Sequence, residues 1–266
     1  MPKTLYVIGS FTKGGVQGND SGDLTSYLEL GWELLTTGMK IKQNIEDYRS
    51  ADTYFTTTRD RLFMYKHLSD NLIAWEDINL NDFDNKIYLH NPDTFLEDLR
   101  YYSDIEWTDS FKSRFKEIDI DESEDENYIC FQVRRRDHAA WRNGPTGHLI
   151  SLIHNLSKKY KVFVVGKGNE DLQSVVNCEL VNLEKYTSLL RSKGCLASFG
   201  ISSGCSMLNY IYGREGLPVH ILYTEDRRMI DQNRIMFFGE KLNVANVNNV
   251  VHFDFPSYVR SIENYI

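Results

Sequence analysis

Arg134, Arg135 and Arg136 stand in a row, with Asp137 next and Arg142 close behind, and form the densest basic cluster of the sequence. They follow the apolar run Tyr128 to Val133, so if that run is a strand the guanidiniums stand at its carboxyl end. Arginine's rigid fork matches phosphate oxygens and keeps its charge at neutral pH, and a cluster of this size suits a diphosphate. It is too small to track a nucleic-acid duplex. In extended chain Arg134 and Arg136 fall on one side and Arg135 on the other. Asp137 is placed to orient a guanidinium or to act on an acceptor hydroxyl. His138 reads equally as a proton shuttle or a surface residue, and the whole cluster competes with a solvated basic turn paired with nearby acids.

Three further stretches could serve the same anion. In Ser198 to Gly213, the residues Ser202, Ser203, Gly204, Cys205 and Ser206 lie between a strand and a helix, where hydroxyls and backbone N–H groups meet an anion. The competing reading is an ordinary loop with Ser206 as helix cap. Val165 to Glu170 also follows a strand, and Gly166 or Lys167 could touch a base or phosphate; a plain tight turn is an equal reading. In Lys13 to Asp23 the glycines permit a tight loop that offers Lys13, Asp20 and Asp23, and either carboxylate is a candidate general base.

Elements with a matching rhythm must position these loops. Thr4 to Ile8 reads as a first strand, Asp23 to Leu35 as a helix, Thr53 to Thr56 as a short strand and Arg59 to Leu68 as a helix or broken helix. Asn71 to Trp75 and Lys86 to Leu89 read as strands, and helices are expected from Asn91 to about Tyr102 and over Thr108 to Ile118. The second half alternates more regularly. Strands are expected at Tyr128 to Val133, Val162 to Val165, Cys178 to Val181, Cys195 to Phe199 and Val219 to Tyr223. Helices are expected at His148 to Lys159, Leu183 to Ser192 and Ser206 to Tyr212, with a last one starting near Pro256. This alternation predicts a doubly wound parallel sheet, whose ligands bind beyond the carboxyl ends of the strands.

The boundary between halves is expected in Asp119 to Glu126, where six of eight residues are acidic. Such a run repels itself and belongs in water. It contains Asp119-Ile120-Asp121, a spacing able to hold a metal and a diphosphate, although the surrounding acids favour a solvated linker. The expected domains are 1–126 and 127–266.

Composition narrows the classes. A net charge of −8 over 266 residues opposes a large nucleic-acid footprint. No G-x-x-x-x-G-K-[ST] loop and no G-x-G-x-x-G fingerprint occurs, which argues against common kinases and dinucleotide enzymes. The apolar stretch Leu5 to Gly9 is too short for a signal sequence or a membrane span, so a cytoplasmic protein is expected. Cys130, Cys178, Cys195 and Cys205 lack metal-ligand spacing and read as buried free thiols.

Gln132-Val133-Arg134-Arg135-Arg136-Asp137 resembles the H-x-R-R-G-D segment of fucosyltransferase-like glycosyltransferases, with Gln132 in place of histidine and Arg136 in place of glycine. Leu183 to Gly213, with Tyr186, Leu189 and Leu190 before Phe199-Gly200-Ile201-Ser202-Ser203-Gly204 and then Pro218-Val219, is similar to the end of the donor domain in GT-B enzymes of the heptosyltransferase type. The resemblance covers Tyr128 to Tyr223. It implies an α/β fold of two Rossmann-like domains facing a cleft and transfer of a sugar, fucose or another hexose, from a nucleoside-diphosphate sugar to an acceptor hydroxyl. Inversion and independence of metal or cofactor are part of that implication. Arg134 would bind the donor's β-phosphate, Ser202 to Ser206 would cradle it, and Arg136 and Asp137 would lie near the reacting sugar. The Gly14 to Asp23 loop would present a glycan or other hydroxyl-bearing acceptor, and the last helix would pack back across the halves. The rival readings are another nucleotide enzyme, such as an epimerase or phosphotransferase, and a noncatalytic nucleotide-sugar binder. The oligomeric state is left open.

Overall fold

The computed structural model describes residues 2–8, 30–35, 37–89, 109–118, 126–135, 143–223 and 243–266. By internal contacts the chain divides into two units, Met1–Ile120 and Asp121–Ile266, so the division falls inside the acidic run.

The first unit is built around β1 (Thr4–Val7), which pairs in parallel with β2 (Thr53–Thr57) on one side and β4 (Asn85–Tyr88) on the other, while β3 (Leu72–Ala74) lies outside β2. Alternation along β1 sends Leu5 and Val7 into a cluster with Phe83 and the rings of Tyr54 and Trp75. Tyr6 goes to the other face, against Tyr48 and Phe55 at 5.0 and 5.7 Å. Short helices α1 (Leu30–Leu35), α2 (Thr37–Gln43) and α3 (Ile45–Tyr48) precede β2, and α4 (Asp109–Lys116) packs against α2. The segment after β2 is a 3-10 helix over Arg59–Met64. From this turn Arg61 and Tyr65 both reach the fully buried carboxylate of Glu33, which also accepts from Thr57. A buried charge is tolerated when it is paired and hydrogen-bonded, and this one ties α1 to the exit of β2. The expected helix from Asn91 and the Asp23 to Glu29 portion of the first helix lie outside the described residues.

In the second unit the strands are β5 (Tyr128–Gln132), β6 (Lys161–Val165), β7 (Cys178–Val181), β8 (Cys195–Ile201), β9 (Pro218–Leu222) and β10 (Asn248–His252). All pair in parallel in the order β10-β9-β8-β5-β6-β7. The chain leaves β5 toward β6 and β7, then crosses to the other side of β5 for β8, β9 and β10. That is the doubly wound order, and its switch point lies between β5 and β8.

Helices cover both faces of this sheet. Ile129 and Phe131 of β5, with Ala197, Phe199 and Ile201 of β8, pack under α5 (Thr146–Leu156) and α8 (Phe255–Glu263) through Leu149, Ile153, Leu156, Tyr258 and Ile262. The opposite residues face α6 (Leu183–Arg191) and α7 (Ser206–Tyr212). There the Tyr128 hydroxyl donates to the Leu189 carbonyl, and Tyr186 bonds Ser198 at 3.0 Å and Asn209 at 3.3 Å. α5 starts two residues before the expected His148, with Pro145 at its N-cap, where the proline carbonyl accepts the His148 and Leu149 N–H groups at 3.1 and 3.2 Å. β8 runs to Ile201, two residues beyond the expected Phe199, since Ile201 still pairs with Leu222. The last helix is capped by Asp254, whose carboxylate accepts the Ser257 N–H at 2.8 Å, and its buried face belongs to the core of the second unit.

Candidate functional site

At the switch point β5 parts from one neighbour and stays with the other. Gln132 is still in register with Gly200 of β8, but the next residue, Val133, donates its N–H to Val165 at the end of β6. The two strands therefore separate beyond Gln132, and the gap is spanned by a side chain: Gln132 Oε1 accepts the Ile201 N–H at 3.1 Å. Gly200 is what lets the carboxamide lie there, since a Cβ at that position would stand 2.8 Å from Oε1.

Arg134 comes next and is only 5% exposed. Its Nη1 donates to Asn143 Oδ1 at 2.5 Å, so a residue three positions before α5 fixes the guanidinium at the strand end. Arg135 turns toward β6 instead, where Nη1 donates to the Gly168 carbonyl at 3.2 Å and pairs with Asp171 at 2.7 Å. The two arginines thus serve different neighbours, as extended geometry requires of adjacent residues. Arg136, Asp137, His138 and Arg142 lie outside the described residues.

The loop after β6 is fastened to the exit of β5. Gly166 has φ +130°, and a Cβ there would come within 2.1 Å of the Val133 carbonyl oxygen. Only glycine fits so close an approach in that conformation. Buried Asn169 then donates to the carbonyls of Val133 and Gly166 at 3.1 and 3.0 Å. Lys167 is exposed at the tip of this turn. Gly166 thereby has a backbone reason to be glycine that is independent of any ligand.

The serine loop after β8 spends most of its donors on itself. Ser202 N–H goes to the Leu222 carbonyl, Ser203 N–H to the Ser206 hydroxyl, Cys205 N–H to the Ser203 hydroxyl and Ser206 N–H to the Ser203 carbonyl. Ser206 Oγ closes the turn on the Ser203 carbonyl at 2.5 Å. What the loop brings to the switch point is therefore a rigid shape, the Ser203 hydroxyl proton and the side without a Cβ at Gly204.

Lys13, Asp20 and Asp23 lie outside the described residues, as does the Asp119–Asp121 pair. In the sequence Lys13 to Asp23 come after β1, the strand beside the first sheet's own switch point between β1 and β4. Among the described residues there is no group of three or more His, Cys, Asp or Glu side chains able to hold a metal ion. All four cysteines are free thiols, with Cys130 and Cys195 buried and Cys178 and Cys205 partly so. No helix among the described residues is long and apolar enough to cross a membrane.

Below the strand ends runs an aromatic row that the sequence did not announce. Phe131, Phe199, His220 and His252 stack in series across β5, β8, β9 and β10, at centroid separations of 5.2, 5.0 and 5.4 Å. His220 Nδ1 and His252 Nε2 lie 3.2 Å apart, and His252 Nδ1 is 3.3 Å from the Ser257 hydroxyl in the first turn of α8. Burial, helped by the neighbouring His252, pushes His220 down to about 4, and burial lowers His252 as well, against the pull of Asp254. Between about pH 4 and 6.5 the unfolded chain binds more protons at His220 than the folded one, so stability falls as the pH drops through that window. The second unit is expected to lose thermal stability on acidification from neutral pH. In a melt followed across pH, His220→Phe should keep the stacking and flatten that loss; an unchanged slope would exclude His220 as its source.

Gln132, Asn143 and Asn169 are the site residues that sequence reasoning did not propose. Gln132 carried a signal, a polar residue closing an otherwise apolar strand. Asn143 and Asn169 carried none, because each acts on a backbone or side chain that only the fold brings near.

No protein-family model matches the chain, and no curated protein matches it. Among solved structures it is similar to E. coli ADP-heptose LPS heptosyltransferase II, at 11% identity and a TM-score of 0.52 over 98% of this chain and 97% of that one. A glycosyl transferase family 9 structure from Veillonella parvula gives 10% identity and 0.48 over 100% and 90%. The iron-containing dodecameric glycosyltransferase TibC from enterotoxigenic E. coli gives 15% and 0.46; this chain covers 57% of TibC's length. The fold comparison rests on the first of these: the chain has a GT-B-like α/β architecture of two parallel-sheet, Rossmann-like units, shared with that heptosyltransferase structure.

Proposed function

We propose that this chain is a glycosyltransferase that moves a sugar from a nucleoside-diphosphate sugar to an acceptor hydroxyl, with the donor seated on the second unit. The observation that carries the reading is Arg134, a nearly buried guanidinium held by Asn143 at the carboxyl end of the strand beside the switch point. Crevices at such points are where doubly wound sheets bind nucleotides, and a fixed cation there meets the charge that grows on a departing diphosphate. The likeness in fold to a heptosyltransferase agrees with this reading.

The division of labour follows. Residues 127–266 hold the donor, with Arg134 on the diphosphate and with Gly166, Lys167 and Ser202 to Ser206 forming the walls around it. Residues 1–126 present the acceptor, and Asp20 or Asp23 takes its proton as the hydroxyl attacks the anomeric carbon. Arg136 and Asp137 stand with the reacting sugar. Attack opposite the leaving group inverts the anomeric centre, and the guanidinium supplies the charge that a metal would otherwise bring. ADP is the first nucleotide to test, because the heptosyltransferase of similar fold is one that uses ADP-heptose. GDP follows, because the arginine motif resembles the fucosyltransferase segment, although none of the three structures compared is a fucosyltransferase.

The test is thermal stabilisation by ADP, GDP, UDP and CMP, their sugar conjugates and NAD, first without metal and then with it. One nucleoside diphosphate is expected to raise the melting temperature, since a ligand that binds only the folded chain stabilises it by mass action. Release of that diphosphate from its sugar conjugate should then be measurable with a glycan acceptor. A shift with NAD alone would replace glycosyl transfer with the dinucleotide reading, and binding without turnover would make the chain a nucleotide-sugar binding protein.

A further inference from the structure

We propose that Gln132 is a donor-binding residue whose carboxamide both closes the gap between β5 and β8 and donates a hydrogen bond to a phosphate oxygen of the nucleoside diphosphate. The proposal rests on the donor-site reading above and names a contact within it.

Three observations point to this side chain. First, it stands where the strands separate: the last β5–β8 pair is Gln132 with Gly200, and Val133 has already joined β6. The Ile201 N–H, which faces β5 at this last pair, donates to Gln132 Oε1 at 3.1 Å. Both backbone groups of Val133 face β6, its N–H meeting the Val165 carbonyl and its carbonyl accepting from Asn169.

Second, Gln132 is only 2% exposed, yet its Nε2 has no hydrogen-bond partner among the described residues. The amide nitrogen is nevertheless not sealed from solvent, so it is the one polar atom of this buried side chain that a ligand can reach. The orientation is fixed by chemistry, because only the oxygen can accept the Ile201 N–H. The NH2 group is therefore the part of the side chain left over at the crevice.

Third, Gly200 clears the space. A Cβ there would stand 2.8 Å from Gln132 Oε1 and 3.2 Å from Ile221 Cδ1, so the carboxamide would have to move. A glycine in a buried strand often marks a close approach, and here, next to the end of β8, the thing that approaches is this carboxamide. With Arg134 two residues further on, the strand end carries a cation and a neutral donor in sequence, the pairing that grips a diphosphate from two directions.

The experiment compares wild type, Gln132→Glu and Gln132→Met, reading affinity by calorimetry for ADP, GDP and UDP, with inorganic pyrophosphate as a base-free probe. Hydrogen exchange at Ile201 is followed in parallel. Gln132→Glu keeps the acceptor for Ile201 and replaces the donor with a carboxylate facing the anion. Its Ile201 exchange should match wild type while its affinity falls by about tenfold or more at mildly alkaline pH. The deficit relative to wild type should shrink as the pH is lowered, because a protonated carboxyl again offers an O–H. Gln132→Met should lose affinity and speed Ile201 exchange, with no such recovery. Wild-type affinity in Gln132→Glu at alkaline pH would overturn the proposal, and so would a loss that does not change with pH. If wild type itself binds none of the four probes, the donor-site reading fails together with this contact. That result differs from a wild type that binds beside a Gln132→Glu variant that binds equally well.

Discussion

Arg134→Ala is expected to reduce kcat/KM for sugar transfer by about a hundredfold or more, the scale of removing one fixed electrostatic contact from a developing negative charge. Part of that loss should appear as weaker binding of the nucleoside diphosphate, since the same charge is met in the ground state. The fold should survive: truncating a nearly buried side chain outside the apolar core costs about 1–3 kcal/mol, within the stability of an ordinary domain. Arg134→Lys is the informative companion, because it keeps the charge but not the rigid fork that reaches Asn143 Oδ1. It should bind the diphosphate better than Arg134→Ala yet turn over far more slowly than wild type. Steady-state release of the nucleoside diphosphate, alongside calorimetry on the same preparations, separates the two effects. A folded Arg134→Ala protein with wild-type turnover would remove this residue from the reaction.

Gly166→Ala is expected to be the most damaging single methyl group in the second unit. The added Cβ would meet the Val133 carbonyl oxygen at 2.1 Å, and that oxygen is main chain at the end of the central strand, with little room to move. The φ of +130° adds strain of its own for any residue with a side chain. Together these should cost about 3 kcal/mol or more. The consequence reaches the site, because the same turn positions Asn169 on Val133 and supports Arg135 through Gly168 and Asp171. Amide exchange in β5 and β6 should accelerate by about a hundredfold, and diphosphate binding should fall with it. Gly147→Ala is the control, for a Cβ there meets nothing within 4 Å and the position is helical. Wild-type exchange in Gly166→Ala would mean that the loop relaxes and that its contact with β5 is dispensable.

Most of the second unit was legible in the sequence. Short apolar runs, three of them ended by glycine or arginine, read as parallel strands, and five of the six strands lie where the pattern puts them. β10 was missed because its sequence, Asn248-Asn249-Val250-Val251-His252, opens with two asparagines and sits at the sheet's edge, where one partner suffices and burial is partial. In the first unit α2 escaped notice because Gly38 interrupts its pattern. That glycine answers to packing: a Cβ would stand 2.7 Å from the Tyr65 hydroxyl. The 3-10 turn after β2 was foreseen only as a helix or broken helix, for its form depends on where Glu33 lies.

By itself the sequence determined the alternating strand and helix rhythm and the placing of Arg134 and the serine loop at strand ends. These are local matters, set by hydrophobic periodicity and the conformational range of single residues. Only the tertiary structure decided that β5 and β8 are neighbours with the chain crossing between them, and that Arg135 leaves the basic cluster for Gly168 and Asp171. It likewise decided that the serine loop's amides are mostly bonded within the turn and that Gln132 bridges the gap where β5 turns to β6. Each of these joins groups far apart along the chain, and which of a residue's several possible partners it meets is fixed by strand order and register, which one-dimensional periodicity does not encode.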